Sequence, residues 1–193
     1  MNILIIPEDF TKDQQVLKPI IEAMLTHLGK PAKVTVCQNP RLQGISQALN
    51  WQRIQDIIHQ YSWKVQLFLL CVDRDGVEGR RTQLTRLEKQ ANAILPAGRC
   101  FLAENAWQEV EVWVLAGHDL PPEWEWQQVR QERDPKEVYF LPFAERRGVA
   151  QEYDEGRGTL AKEAASRYRR IRQLCPEDIA TLENKLHTWL EEL

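Results

Sequence analysis

Two short apolar runs without a polar interruption, Ile3-Leu4-Ile5-Ile6 and Leu67-Phe68-Leu69-Leu70-Cys71-Val72, leave few folds open to this chain. A strand with one face in water alternates apolar and polar residues. A strand without that alternation is covered on both faces, as in a parallel sheet flanked by helices. Acids follow each run: Glu8-Asp9 after the first, across Pro7, and Asp73-Arg74-Asp75 after the second. In such sheets ligands occupy the crevice beyond the carboxyl ends of the strands. Carboxylates delivered there by neighbouring strands repel one another unless a cation lies between them. A set of oxygen ligands suits a hard ion, and the expectation is Mg²⁺ or Mn²⁺.

The rest of the pattern alternates in the same sense. Strand 2–7 is followed by a helix from about Lys12 to Leu28, with Val16, Ile20, Ile21, Met24, Leu25 and Leu28 at helical spacing and Gly29 as a stop. A strand is expected at Lys33–Cys37, an amphipathic helix at Ile45–Tyr61, a strand at 64–72, a helix at Glu78–Leu95 and a strand at Arg99–Ala103. This order implies an α/β fold, a mainly parallel sheet with helices on both faces. Trp107–Ala116 fits both periods and is read as a helix, with Asn105 and Gln108 as a capping box. Asp134-Pro135-Lys136-Glu137 starts a short helix that Pro142 is expected to end. The charged stretch 144–158 reads as a mobile surface loop. Helices at about 160–173 and 176–191 close the chain. The expected organisation is one domain, a core of about 1–143 with a helical appendix of about 159–193.

At 193 residues the chain is long enough to bury a core without disulfides. Cys37, Cys71, Cys100 and Cys175 form no CxxC pair; Cys71 and Cys100 sit in apolar runs and read as buried small hydrophobes, which suits a reducing cytoplasm. Pro7-Glu8-Asp9 interrupts the first apolar run too early for a signal peptide, and no segment nears the ~20 apolar residues of a membrane span. A net charge of −3 argues against a general basic coat, though not against a local basic groove. His27, His59, His118 and His187 show no metal-binding spacing, and no GxSxG, GxGxxG or Walker-type loop is present. Trp107, Trp113, Trp124 and Trp126 read as packing, with a base-stacking platform as the sharper alternative.

Taken together, Glu8 with Thr11, Asp73-Arg74-Asp75-Gly76 after a hydrophobic strand, Glu109-Val110-Glu111-Val112-Trp113, Asp134-Pro135-Lys136 and Tyr153-Asp154-Glu155-Gly156 resemble the Toprim superfamily, the module shared by topoisomerases, primases and OLD-type nucleases. The likeness is closest to small stand-alone bacterial Toprim-like proteins and thins past Gly158. It departs from the pattern at Asp9, where the superfamily usually has glycine. The resemblance implies metal-dependent phosphodiester chemistry on nucleic acid. It implies that Glu8 is a general acid/base or metal ligand, that Asp73 and Asp75 bind the metal, and that Glu111 is a further ligand or a group hydrogen-bonded to one. Lys136 is the candidate phosphate contact, with Arg74, Arg80 and Arg81 behind it.

Each of these residues has a plainer reading. Glu8 and Asp9 can cap a helix, Asp73 and Asp75 can form an Asp-Gly turn, and Glu111 can be a solvated helix residue. The run Arg167, Arg169, Arg170 and Arg172 reads as a solvated helix face. The alternative function is a non-catalytic subunit that works beside an ATPase partner in a defence cassette, meeting it through an exposed Trp124/Trp126 region. A receiver-like phosphoacceptor domain ranks below both, because it needs a lysine at a strand end.

Overall fold

The computed structural model describes residues 1–192. Four strands, β1 (Asn2–Pro7), β2 (Lys33–Val36), β3 (Leu67–Asp73) and β4 (Cys100–Ala106), form one parallel sheet in the order β2-β1-β3-β4. Register pairs Ile3 with Val34 and Leu67, and Leu67 with Cys100. The chain adds β2 on one side of β1 and β3 on the other, so the strand order reverses between β1 and β3. That gap is where an open α/β sheet has its natural crevice.

Alternate residues of each strand feed two cores. Ile3, Ile5, Leu67, Leu69 and Leu102 face one way, and Leu4, Ile6, Phe68, Leu70 and Phe101 the other. The first core is closed by α1 (Phe10–His27), whose Val16, Leu17, Ile20, Ile21 and Met24 are fully buried. The second is closed by α3 (Trp51–Tyr61) and α4 (Arg80–Ile94) through Ile54, Ile57, Ile58, Leu84 and Leu87. The expected α/β architecture with helices on both faces is what the chain adopts.

Several boundaries differ from expectation for local reasons. The helix expected over Ile45–Tyr61 is two, α2 (Ile45–Ala48) and α3, because the Asn50 side chain accepts the Arg53 N–H and starts a new helix. β4 runs on to Ala106, so Asn105 lies in a strand and the capping box with Gln108 does not form; α5 spans only Glu111–Ala116. A short helix, α6 (Trp126–Gln131), follows. Pro142 does not end the next helix. A π-helical turn, Lys136–Phe140, runs straight into α7 (Leu141–Arg146), where Pro142 occupies the first turn and needs no N–H partner. The charged stretch is not a free loop either: Arg157 is 1 % exposed and begins α8 (Arg157–Ala165). The helix expected over 160–173 breaks after Ala165, and α9 covers Tyr168–Leu174. A second π turn, Pro176–Ala180, leads into α10 (Thr181–Glu191). Leu160, Ile171, Leu182 and Leu186 of these last helices share the core of Ile3 and Ile5.

The outer edge of β4 is covered by side chains. Phe101 exchanges hydrogen bonds with Asn92, the Ala103 N–H donates to Glu88 (2.8 Å), and Lys185 donates to the Ala103 carbonyl (3.0 Å). An edge closed this way cannot pair with another chain. All four cysteines are buried free thiols. Among the described residues, no helix is long and apolar enough to cross a membrane.

Candidate metal centre

Glu8 leaves the end of β1 and Asp73 is the last residue of β3, so the two flank the crevice where the strand order reverses. The Asp73 backbone N–H donates to the Glu8 carboxylate at 3.2 Å, which ties the strand ends together. The Asp73 carboxylate in turn accepts the Val110 N–H at 2.9 Å, from the segment that follows β4. Glu109 in that segment accepts the Lys136 N–H at 2.8 Å. One oxygen of each carboxylate is thus fixed by a backbone donor, which orients the side chain and leaves its second oxygen for another partner.

The turn after β3 carries Asp75 in the left-handed region (φ 52°), a conformation aspartate tolerates better than most residues. Gln108, itself at φ 73°, holds that turn. Its carbonyl accepts the N–H groups of Arg74 (2.8 Å) and Asp75 (3.2 Å), and its side chain accepts the Gly76 N–H (2.9 Å). The only other non-glycine residue at positive φ among those described is Glu155, which pairs with Arg157 at the same cavity. Backbone strain of this kind collects where a site over-determines the local structure.

The result is a group of three carboxylates, Asp73, Asp75 and Glu109, whose ligand oxygens lie within 4.8 Å of one another. Asp73 and Glu109 border a cavity of about 150 Å³ that is also lined by Glu8, Asp9, Asp13 and Glu111, against the cations Lys12, Lys136 and Arg157. Acids outnumber bases two to one there, and the electrostatics follow. Burial pushes Asp73 well above the usual carboxylate range, helped by the charges of Glu111, Asp13, Glu8 and Asp75. Burial raises Glu8, with Asp75 adding to it and the Asp73 N–H opposing. Asp13 and Glu109 are each pushed up to about 7, burial again leading. Such a cluster holds protons until a cation replaces them. The donor set is all oxygen, which fits a hard divalent ion.

The expected site residues divide into three groups. Asp73 and Asp75 converge with Glu109, and Glu8 stands beside them, hydrogen-bonded to Asp73 and within reach of the Asp75 charge. Glu111 lines the cavity, yet its carboxylate is held by Arg157 through Nε (2.9 Å) and a terminal nitrogen (2.7 Å). Its neighbour Glu109 joins the converging set in its place. Lys136 lines the cavity with its ammonium 3.4 Å from Glu137. Of the other expected cations, Arg74 lies over the Trp107 ring at 3.9 Å, Arg80 is buried, and Arg81 pairs with Glu104. Asp9 caps α1, accepting the Thr11 N–H at 2.7 Å, as the plainer reading had it.

Sequence reasoning missed Glu109, Gln108, Asp13, Lys12 and Arg157. For Glu109 the signal depends on where β4 ends: with the strand running to Ala106, an acid just past it belongs at the same sheet edge. Trp124 and Trp126 are each half-buried in a stretch whose other residues are mostly exposed. Trp124 packs edge-on against Tyr139, and Trp126 donates to the Leu174 carbonyl. Comparison with protein-family models, with curated proteins and with solved structures gave no match.

Proposed function

We propose that this chain is a small Toprim-like nuclease that hydrolyses phosphodiester bonds in nucleic acid with Mg²⁺ or Mn²⁺ held by Asp73, Asp75 and Glu109. The observation that carries this reading is the convergence of those three carboxylates, with Glu8 beside them, at the point where the strand order reverses. A divalent ion there supplies charge neutralisation on the attacked phosphate and the leaving oxygen.

The chain's own residues do the rest. Glu8 is half-buried, and burial raises its pKa, which suits a group that takes a proton from the attacking water or returns one to the leaving oxygen. Lys12 and Lys136 border the cavity and offset phosphate charge that the acids would repel. Arg157 neutralises Glu111 from beneath, so that the cluster is not more repulsive than a cation can satisfy.

The test is cleavage of DNA and RNA oligonucleotides by purified protein with Mg²⁺ or Mn²⁺, wild type against Asp73→Asn. The substitution keeps the acceptor for the Val110 N–H while removing the charge. A rate reduced by about 10²-fold or more is expected, the scale of losing one principal electrostatic group. Equal cleavage by the variant refutes the assignment. Absence of cleavage in both, together with a stable complex with an ATPase, would favour the subunit reading.

A further inference from the structure

A second cavity at the same end of the sheet has a different chemistry. It is a groove of about 620 Å³ between the start of α3 and the exposed face of α4, within the size range of small-molecule sites. Asn50 and Trp51 form one wall. Thr82, Gln83, Arg86 and Gln90 form the other, at spacings that put them on one stripe of α4. The chain has 28 acidic residues, and none lines this groove. Arg86 has no ion-pair partner among the described residues. The Asn50 side-chain oxygen is used by the Arg53 N–H (3.1 Å), which leaves its amide NH₂ to donate. Trp51 is half-buried, with its inner side on the core of Ile54 and Leu87.

An aromatic ring, carboxamides that both donate and accept, and one free arginine are the groups that recognise a nucleobase and its phosphate. The segments that carry the two walls begin near Glu8 of the acid cavity. The element leading to Asn50 starts at Ile45, whose N–H lies beside the Glu8 carboxylate, and α4 starts at Arg80, whose charge acts on that same carboxylate.

We propose that this groove is a nucleobase subsite, in which Trp51 stacks on an unpaired base and Arg86 meets a phosphate of the strand presented to the acid cavity. The inference rests on the nuclease reading for its location and narrows the substrate to single-stranded nucleic acid. A base in a duplex is stacked and paired, so a ring set between two helices reaches only a base that is free of both.

Binding measured without divalent ion separates this subsite from the chemistry. In EDTA, fluorescence anisotropy of a labelled single-stranded oligonucleotide is compared for wild type, Trp51→Ala, Trp51→Phe, Arg86→Ala and Asp73→Asn, each checked for folding by circular dichroism. Trp51→Ala weakens binding about 10- to 100-fold, the range of one base stacked on an aromatic ring, and Trp51→Phe restores most of it. Arg86→Ala lowers the slope of log affinity against log salt by about one. Asp73→Asn binds no more weakly than wild type. Should Trp51→Ala not fold, Gln90→Ala and Arg86→Ala, both on the exposed face of α4, carry the test alone. Unchanged binding in the folded groove variants overturns the proposal, as does equal competition by duplex or by mononucleotide. Groove-dependent binding without metal-dependent cleavage would leave the subsite standing and remove the nuclease. Cleavage with an intact KM in Trp51→Ala would do the reverse.

Discussion

The molecule gathers two charged clusters close to β3 and β4, one buried and one half-exposed, and they are built on opposite plans. Beside β4, Asp178 is 1 % exposed and surrounded by donors: the Trp107 N–H (2.8 Å), the Trp113 indole (2.7 Å), the Ile179 N–H (2.9 Å) and both terminal nitrogens of Arg130 (2.8 and 3.0 Å). Glu104 nearby meets Arg81 at 3.0 Å and Lys185 at 3.8 Å. At the β1–β3 crevice, acids outnumber bases, and Asp73, Asp75 and Glu109 crowd together. Burial is therefore not what distinguishes the two sets of acids. A carboxylate matched by cations and N–H donors anchors the C-terminal helices to the sheet edge. A carboxylate set among other carboxylates stores repulsion that a metal ion would relieve.

The sharpest way to break this contrast is to remove one acid from each cluster. Asp178→Ala leaves Arg130 buried beside a cavity, with only the exposed Glu177 as partner, and breaking a buried pair in this way costs about 3–5 kcal/mol. In a chain of this size that lowers the melting temperature by roughly 10 °C. Asp73→Asn in metal-free buffer does the opposite: it removes one of several like charges and leaves the melting temperature unchanged or higher. If both variants lose stability alike, the two clusters are the same kind of structure and the crevice is no metal site.

Adding Mn²⁺ sharpens the comparison next. At about a hundred times the dissociation constant, a bound ion adds about 2.7 kcal/mol. That raises the melting temperature of wild type by roughly 5–10 °C, and leaves Asp75→Ala unmoved. The shift also depends on pH. Asp13 and Glu109 are held up to about 7 in the folded chain, against the ordinary carboxylate range of about 4 when unfolded. The folded state keeps protons that the unfolded state has lost. Their contribution to stability is complete below about pH 4 and disappears as pH rises through 7. Metal-free protein should thus lose stability from pH 5 to pH 8 through these groups. Mn²⁺, which needs Glu109 deprotonated, should give its larger gain at pH 8. Thermal melts at the two pH values decide it, since equal gains would place the ion elsewhere.

How far the amino-acid pattern disclosed this site depends on which element each residue sits on. Glu8 and Asp73 were legible because an unbroken apolar run has a definite end, and the acids follow that end directly. The α/β layering was legible for the same reason. Glu109 was not, because the strand before it was read as ending at Ala103 when it continues to Ala106. Those three residues move Glu109 from a helix face to a strand end and leave Glu111 on α5, where Arg157 holds it. Arg157 was hidden in a charged stretch that resembles a solvated loop. Its burial comes from Asp154, which accepts the N–H groups of Gly156 and Gly158 and folds the chain back over the cavity. No local pattern encodes a contact between residues so far apart in the chain as Glu111 and Arg157.

Gln108 offers the smallest and most selective test. Its carbonyl bonds to the turn survive any side-chain change, so Gln108→Ala removes only the bond from the Gly76 N–H. A lost hydrogen bond of this kind costs about 1 kcal/mol, or roughly 2–4 °C. Its effect on metal binding should be larger in proportion, because a partner that orients a ligand typically governs about 10- to 100-fold in affinity. Titrating Mn²⁺ against the variant by calorimetry separates the two quantities. A tenfold or greater weakening with a melting temperature only slightly lowered means that Gln108 sets the position of Asp75. A stability loss with unchanged affinity would mean that the turn needs Gln108 but the metal does not, and that Asp75 reaches its position by other restraints.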